Sequence, residues 1–259
     1  MKTSQLVNFL LEKYPLSNAH DLDHGKIGLQ FGSMNKEVKK VMIALDGTLE
    51  VVEEAVNKNV DFLLLHHPFL FYPMLNLNYD SPLGKKMSLV FKNDLNVFAM
   101  HTNFDVGQDG MNDILAQKLR LNDIHMTEEV VSNRTVLRIG TVEPMPLKEF
   151  VKMVAQNLEE NNPRYVGDDN KIIKTVGIVG GAGSSELYSA LTNKCDVLVT
   201  GEVHHHQAYD ALENGFTLVE VSHAVERHFA YELQKMLQEE FQDIEFIVSD
   251  NNINPFKRG

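Results

Sequence analysis

The sequence has no tryptophan and a single cysteine, Cys195, so no internal disulfide can form and a reducing compartment, the cytoplasm, is the expected setting. Long apolar runs are missing too: nothing approaches the roughly 20 residues that a membrane helix requires, so no membrane partner is expected. The opening stretch Leu6–Leu11 is interrupted by Asn8 and closed by Glu12, and so lacks the apolar core of a signal peptide. Positive charge is scarce. With 24 Lys and Arg against 36 Asp and Glu, the formal charge of −12 argues against a surface that tracks nucleic-acid phosphates.

What is present is an ordinary apolar fraction, 43%, in 259 residues, enough for one large domain or two modest α/β domains with real cores. Eleven histidines stand out. Leu6, Phe9, Leu10 and Lys13 space as an opening helix. Short apolar runs then alternate with helical patterns: Val41–Asp46, a helix capped by Thr48, Phe62–Leu65, Asn96–Met100, and a helix opened by Asp109 and Gly110. The same grammar continues with a strand at Thr135–Gly140, a helix on Leu147 to Leu158, a break at Asn161–Arg164, and strands at Val176–Val179, Asp196–Val199 and Thr217–Val221. A long helix from Ala224 to about Glu240 and a strand at Ile244–Val248 close the chain. The pattern predicts an α/β fold of two lobes, residues 1–125 and 126–259, with the division in the polar stretch between Leu121 and Arg134.

Four of these strands run into metal-capable residues: His66-His67, His101 to Asp105, Glu202 to His206, and His223 with Glu226. Open α/β sheets bind ligands at the carboxyl ends of their strands. Imidazole and carboxylate together suit Zn, Mn or Fe(II). Adjacent strand residues point to opposite faces, so His66 and His67 could reach two neighbouring ions rather than one. His223 and Glu226, three apart, share one face of a helical turn, from which a carboxylate can bridge two cations. Each feature also has a plainer explanation. A His-His pair can be a surface or core feature, Asp105 a turn cap, Glu226 a solvated carboxylate and His204-His205-His206 an exposed loop. Gly180-Gly181-Ala182-Gly183 reads as a tight turn or a phosphate cradle, and matches neither nucleotide-binding fingerprint.

Leu64-Leu65-His66-His67-Pro68, His101-Thr102-Asn103-Phe104-Asp105, Thr200 to Ala208 and Ser222-His223-Ala224-Val225-Glu226 resemble, in order, the motifs of the NIF-three-like dinuclear-metal proteins. Gly28-Leu29-Gln30-Phe31-Gly32 and Ala44 to Val52 resemble that family's opening segments, so the similarity covers nearly the whole chain. The resemblance implies two divalent ions per subunit (Zn, Fe or Mn) at the strand ends between two α/β lobes. His67 and Asp105 would serve one ion and His66 and His223 the other, with Glu226 bridging. It places His101 and His206 beside the metals, where either imidazole could shuttle a proton near neutral pH. It also implies a homohexamer acting as a metal-dependent hydrolase on a small molecule, with a nucleotide as the candidate, because members carry the name GTP cyclohydrolase 1 type 2 homologue. The alternatives are a metal-handling or regulatory protein without turnover and an interaction scaffold with structural metals. Leu22-Asp23-His24 stands where the family usually has Trp-Asp-Asn, a departure on the substrate side that leaves the metal ligands intact.

Overall fold

The computed structural model describes residues 1–127, 136–252 and 254–257. In chain order the elements are α1 (Thr3–Lys13), β1 (Gly28–Phe31), β2 (Lys40–Ala44), α2 (Leu49–Asn57), β3 (Phe62–Leu65), α3 (Pro82–Lys92), β4 (Asn96–Ala99), α4 (Thr102–Asp105), α5 (Met111–Lys118), β5 (Asn122–Met126) and β6 (Arg138–Pro146). There follow α6 (Leu147–Asn157), β7 (Arg164–Val166), β8 (Ile172–Val179), α7 (Leu187–Thr192), β9 (Val197–Thr200), α8 (His205–Glu213), β10 (Thr217–Glu220), α9 (His228–Glu240) and β11 (Glu245–Val248). Among the described residues no helix is long and apolar enough to cross a membrane.

The chain forms two compact α/β units, Met1–Gly107 with Phe229–Pro255, and Gln108–His228 with the last residues of the chain. This division differs from the expected one at residues 125 and 126. β11 pairs in parallel with β2, Phe246 opposite Val41, and so the segment Phe229–Pro255 belongs to the first unit. Thr135, the first residue of one expected strand, lies outside the described residues; the strand itself runs over Arg138–Pro146.

The first unit is built on the sheet β1-β4-β3-β2-β11, parallel except for β1 at its edge. Every residue of β3 and β4 is buried, as suits strands covered on both faces. Ile43, Leu64 and Phe98 stand level, and so do Ala44, Leu65 and Ala99, so β2, β3 and β4 end at the same height. Thr48 caps α2 by accepting from Val51 N, while Ser81 and Pro82 start α3, a helix with no expectation in the sequence reading. Val51, Val52, Ala55, Met87 and Val90 pack these helices onto Leu63, Leu65 and Val97 of the sheet. Just ahead of β3, Asp61 Oδ2 accepts from the backbone N–H groups of Lys39 and Lys40 and so clamps β3 to the start of β2.

The second unit is the sheet β5-β6-β8-β9-β10-β7, in which β8, β9 and β10 are parallel. Val179, Thr200 and Glu220 end these three strands level with one another. Ahead of β9, Asp196 Oδ2 accepts from Lys174 and Thr175 N–H at 2.9 and 2.8 Å, repeating the clamp of the first unit. Arg164, expected in a break, opens β7 on the sheet edge, paired with Glu220.

Candidate metal centre

β3 delivers the adjacent histidines His66 and His67. The backbone ladder runs past the strand, with His66 N donating to Ala44 O at 3.2 Å and His67 N to Leu45 O at 2.9 Å. The ladder therefore still holds at the backbone, while the two rings stay near each other, with centroids 5.1 Å apart. His66 is fully buried against Phe104 and Phe229. His67 borders a recess of about 550 Å³ at the carboxyl ends of β2, β3 and β11, with Asp46, Phe69, Lys86 and Asn252 also in its wall. β4 ends on Ala99; the N–H of Met100 continues the ladder to Leu65 O, and His101 comes next. The His101 ring centroid is 5.3 Å from that of His66 and 5.6 Å from that of His67. One ring nitrogen of each lies within 4.8 Å of the others. α4 then brings Asp105 back under the cluster, its Oδ1 3.4 Å from His66 Nε2.

In the second unit the ends of β8, β9 and β10 do the same work with different residues. His223 and Glu226 lie not in the first turn of an α-helix, as expected, but in a 3-10 turn, His223–Arg227, opened by Ser222. With three residues per turn, positions i and i+3 eclipse. His223 Nε2 accordingly sits 3.1 Å from Glu226 Oε2, although Glu226 is only 4% exposed. The glycine turn after β8 makes the room. A Cβ at Gly181, whose φ is +53°, would stand 2.7 Å from Glu226 Oε1, and one at Gly180 would stand 3.0 Å from the same atom. The turn thus packs closely around the Glu226 carboxylate.

Three of the histidines are backed by a carboxylate on Nδ1: His67 by Asp46 at 2.7 Å, His101 by Asp23 at 2.9 Å and His223 by Glu202 at 2.7 Å. Such a bond orients the ring, raises its basicity and leaves Nε2 as the nitrogen to offer. Burial alone would lower the His101 imidazole, but the Asp23 hydrogen bond and the charges of Asp105 and Asp23 outweigh it and raise it above its ordinary value. Sequence reading missed Asp23 and Asp46 as members of the site. Asp46 carried a usable signal, since it closes an apolar strand as His66 and His101 do, whereas Asp23 sits in a 3-10 turn with no periodic pattern. His206 is placed apart from this pattern. It is exposed on the first turn of α8, its ring stacked on His204 at 5.7 Å. Among the described residues, no convergent set of three metal-capable donors includes it.

The family profile of DUF34/NIF3 (NGG1p interacting factor 3) matches residues 1–255. The chain belongs to this family. A GTP cyclohydrolase 1 type 2 homolog of Clostridium perfringens is 30% identical, covering 99% of each chain. One from Methanocaldococcus jannaschii is 31% identical over 96% of this chain and all of its own. Among solved structures, a Bacillus cereus protein related to NIF3 superposes with a TM-score of 0.92 at 25% identity, covering 100% of this chain and 99% of the other. A Staphylococcus aureus hypothetical protein gives 0.92 at 29% identity with the same coverage. The fold is thus that of the DUF34/NIF3 proteins, and His/Glu groups suited to a metal are part of it here.

The backing carboxylates give a direct prediction for this DUF34/NIF3 member. Asp46→Ala should weaken zinc binding about 10–100-fold, the usual effect of losing a histidine's hydrogen-bonded carboxylate. Asp46→Asn keeps an acceptor and should lose less. Competition with a chromophoric chelator measures both; equal affinity in Asp46→Ala and wild type would show that Asp46 does not support a ligand.

Proposed function

We propose that this protein is a dinuclear divalent-metal enzyme that hydrolyses a small molecule. His66, His67, Asp105, His223 and Glu226 would hold the ions. The observation that supports this most is the gathering of three imidazoles beyond the buried strands β3 and β4, with a carboxylate beside them and acidic partners behind two of the rings. Packing three imidazoles and a carboxylate at the ends of two inner strands is a poor way to stabilise a fold, because buried polar groups lose hydration. The set matches the ligand chemistry of Zn, Mn or Fe(II). When bound, a metal pair supplies a Lewis acid and an acidified water.

The chain's own residues set the rest. Asp46 and Glu202 orient His67 and His223 through Nδ1. The recess beside His67 has the volume for a small-molecule substrate, with Phe69 as an apolar wall and Asn251 and Asn252 as polar ones. His101 stands beside the donors and is the residue we assign to proton transfer. His206 was the other candidate; its exposure on α8 suits contact with a substrate or its leaving group better than a buried proton path. The relatives' name makes a nucleotide the first substrate to test. The homohexamer is part of the same proposal.

Metal analysis after reconstitution with Zn, Mn and Fe(II) should give two ions per chain, and a screen of nucleoside triphosphates should reveal metal-dependent turnover. Saturation at one ion would overturn the dinuclear reading. Two ions without turnover across the screen would favour metal handling, the reading consistent with the exposed His204-His205-His206 run near the surface. Sedimentation at the mass of six chains tests the assembly.

A further inference from the structure

We infer that Asp23 is the positioning residue of His101, locking its neutral ring with the proton on Nδ1 so that Nε2 is an acceptor offered to the His66 and His67 cluster. The inference deepens the reading of that cluster as a metal centre and rests on it for its consequence, though not for the tautomer itself.

Asp23 closes a 3-10 turn, Asp21–Asp23, and is 1% exposed. Both its oxygens lie 2.9 Å from His101 Nδ1. Its Oδ2 also accepts from Thr102 N–H at 3.1 Å and faces Thr102 Oγ1 at 2.5 Å. Thr102 Oγ1 is itself the acceptor for His20 N–H at 2.7 Å, so its one hydrogen is free to go to Asp23. Burial by itself would push the Asp23 carboxyl up, but the bonds from His101 and Thr102 and the charge of His101 outweigh it and bring it to about 2. Asp23 is therefore an ionised group, and a carboxylate can only accept. Every group around it must donate. That leaves the proton of His101 on Nδ1 in both the neutral and the charged ring, and Nε2 as the nitrogen whose lone pair is available.

The backbone of His101 is held as firmly as its ring. Its N–H donates to Asn103 Oδ1 at 3.0 Å, while Asn103 Nδ2 donates to Tyr14 O at 2.8 Å. Both ends of the imidazole's path, main chain and Nδ1, are thus anchored, and the remaining nitrogen is the variable one. Nothing in a structural role demands this. A buried His–Asp pair that only held the fold would gain nothing from standing with two further histidines within 4.8 Å.

The test reads the tautomer directly. Long-range ¹H–¹⁵N correlation spectra of ¹⁵N-histidine-labelled, metal-free protein, at a pH where imidazole is neutral, should show His101 with a protonated Nδ1 and an unprotonated Nε2; the His101→Gln variant assigns the signals. In Asp23→Asn, Thr102 retains its claim on the amide oxygen because both its groups donate to that position. The amide NH₂ then faces Nδ1 and the ring should switch to the Nε2–H form. Thr102→Val removes one donor to Asp23 and should leave the tautomer unchanged. Zinc titration of the same proteins should show Asp23→Asn about 10-fold weaker than wild type, because His101 would then turn an N–H rather than a lone pair toward the donors of His66 and His67.

A wild-type His101 protonated at Nε2 overturns the inference without recourse to any variant, and so does an unswitched tautomer in a folded Asp23→Asn protein. If the tautomer switches and zinc affinity is unmoved, Asp23 positions a ring that the site does not use, and the inference fails at its consequence. A correct wild-type tautomer in a protein that binds no zinc would instead sink the metal-centre reading and leave the Asp23 assignment standing.

Discussion

Glu226→Gln should lower metal occupancy at both positions together, not at one. Glu226 is buried, sits 3.1 Å from His223 Nε2, and is the carboxylate proposed to bridge. Gln keeps the shape and removes the charge. Two divalent cations at the separation typical of such centres, about 3.5–4 Å, repel by roughly 15–20 kcal/mol at an effective dielectric of about 20, and a bridging anion is what offsets this. Without it each ion raises the free energy of the other. Reconstituted Glu226→Gln should therefore carry well under one ion per chain where two are expected in wild type, as measured by plasma emission on desalted protein. The metal-free variant should melt close to metal-free wild type, which separates lost ligation from lost fold. Full retention of one ion would make Glu226 a terminal ligand and overturn its bridging role.

Gly181→Ala should be nearly as damaging by a steric route. The residue has φ +53°, a conformation that costs an alanine about 1 kcal/mol more than a glycine. The new Cβ would also lie 2.7 Å from Glu226 Oε1 and 3.3 Å from His223 Nε2, so both donors must move. A displacement of this size at two ligands should reduce zinc affinity by at least about 10–100-fold, the scale seen when ligand orientation is lost. Gly215→Ala is the matched control. Its φ is +63° and a Cβ there meets nothing within 4 Å. It should melt lower by a similar backbone term, about 1 kcal/mol, and bind zinc as wild type does. If both variants bind zinc normally, the glycine turn shapes the backbone and not the donors.

Much of this was legible in advance, and the reason is periodicity. Phe62–Leu65 and Thr217–Leu218-Val219 are short apolar runs that end on His66 and, two residues beyond Val221, on His223, and parallel strands buried on both faces read as such runs. Thr48 announced α2 by chemistry alone, since a threonine before an apolar stripe can take the helix's first free N–H groups. What escaped detection depended on partners distant in sequence. Asp23 is polar in a polar stretch, and only its bond to a residue 78 positions away shows its part. α3 was passed over because the segment before it, Phe69 to Tyr79, is apolar yet largely exposed, which blurs any amphipathic pattern. The return of β11 to β2 is likewise invisible locally: Ile244 to Val248 reads as a strand, and nothing in five residues says which sheet it joins.

The two aspartate clamps, Asp61 on the start of β2 and Asp196 on the start of β8, are one arrangement used in both units. Each stands one residue before the middle of three consecutive parallel strands. Counting on from the third strand in each unit, Asp105 follows Ala99 and Glu226 follows Glu220 by the same six residues. The two carboxylates thus occupy one equivalent position used twice. The units differ at the end of the middle strand, where one bears His66-His67 and the other Gly201-Glu202. One strand order therefore presents imidazoles in the first unit and, in the second, a carboxylate seated in the room that glycine leaves.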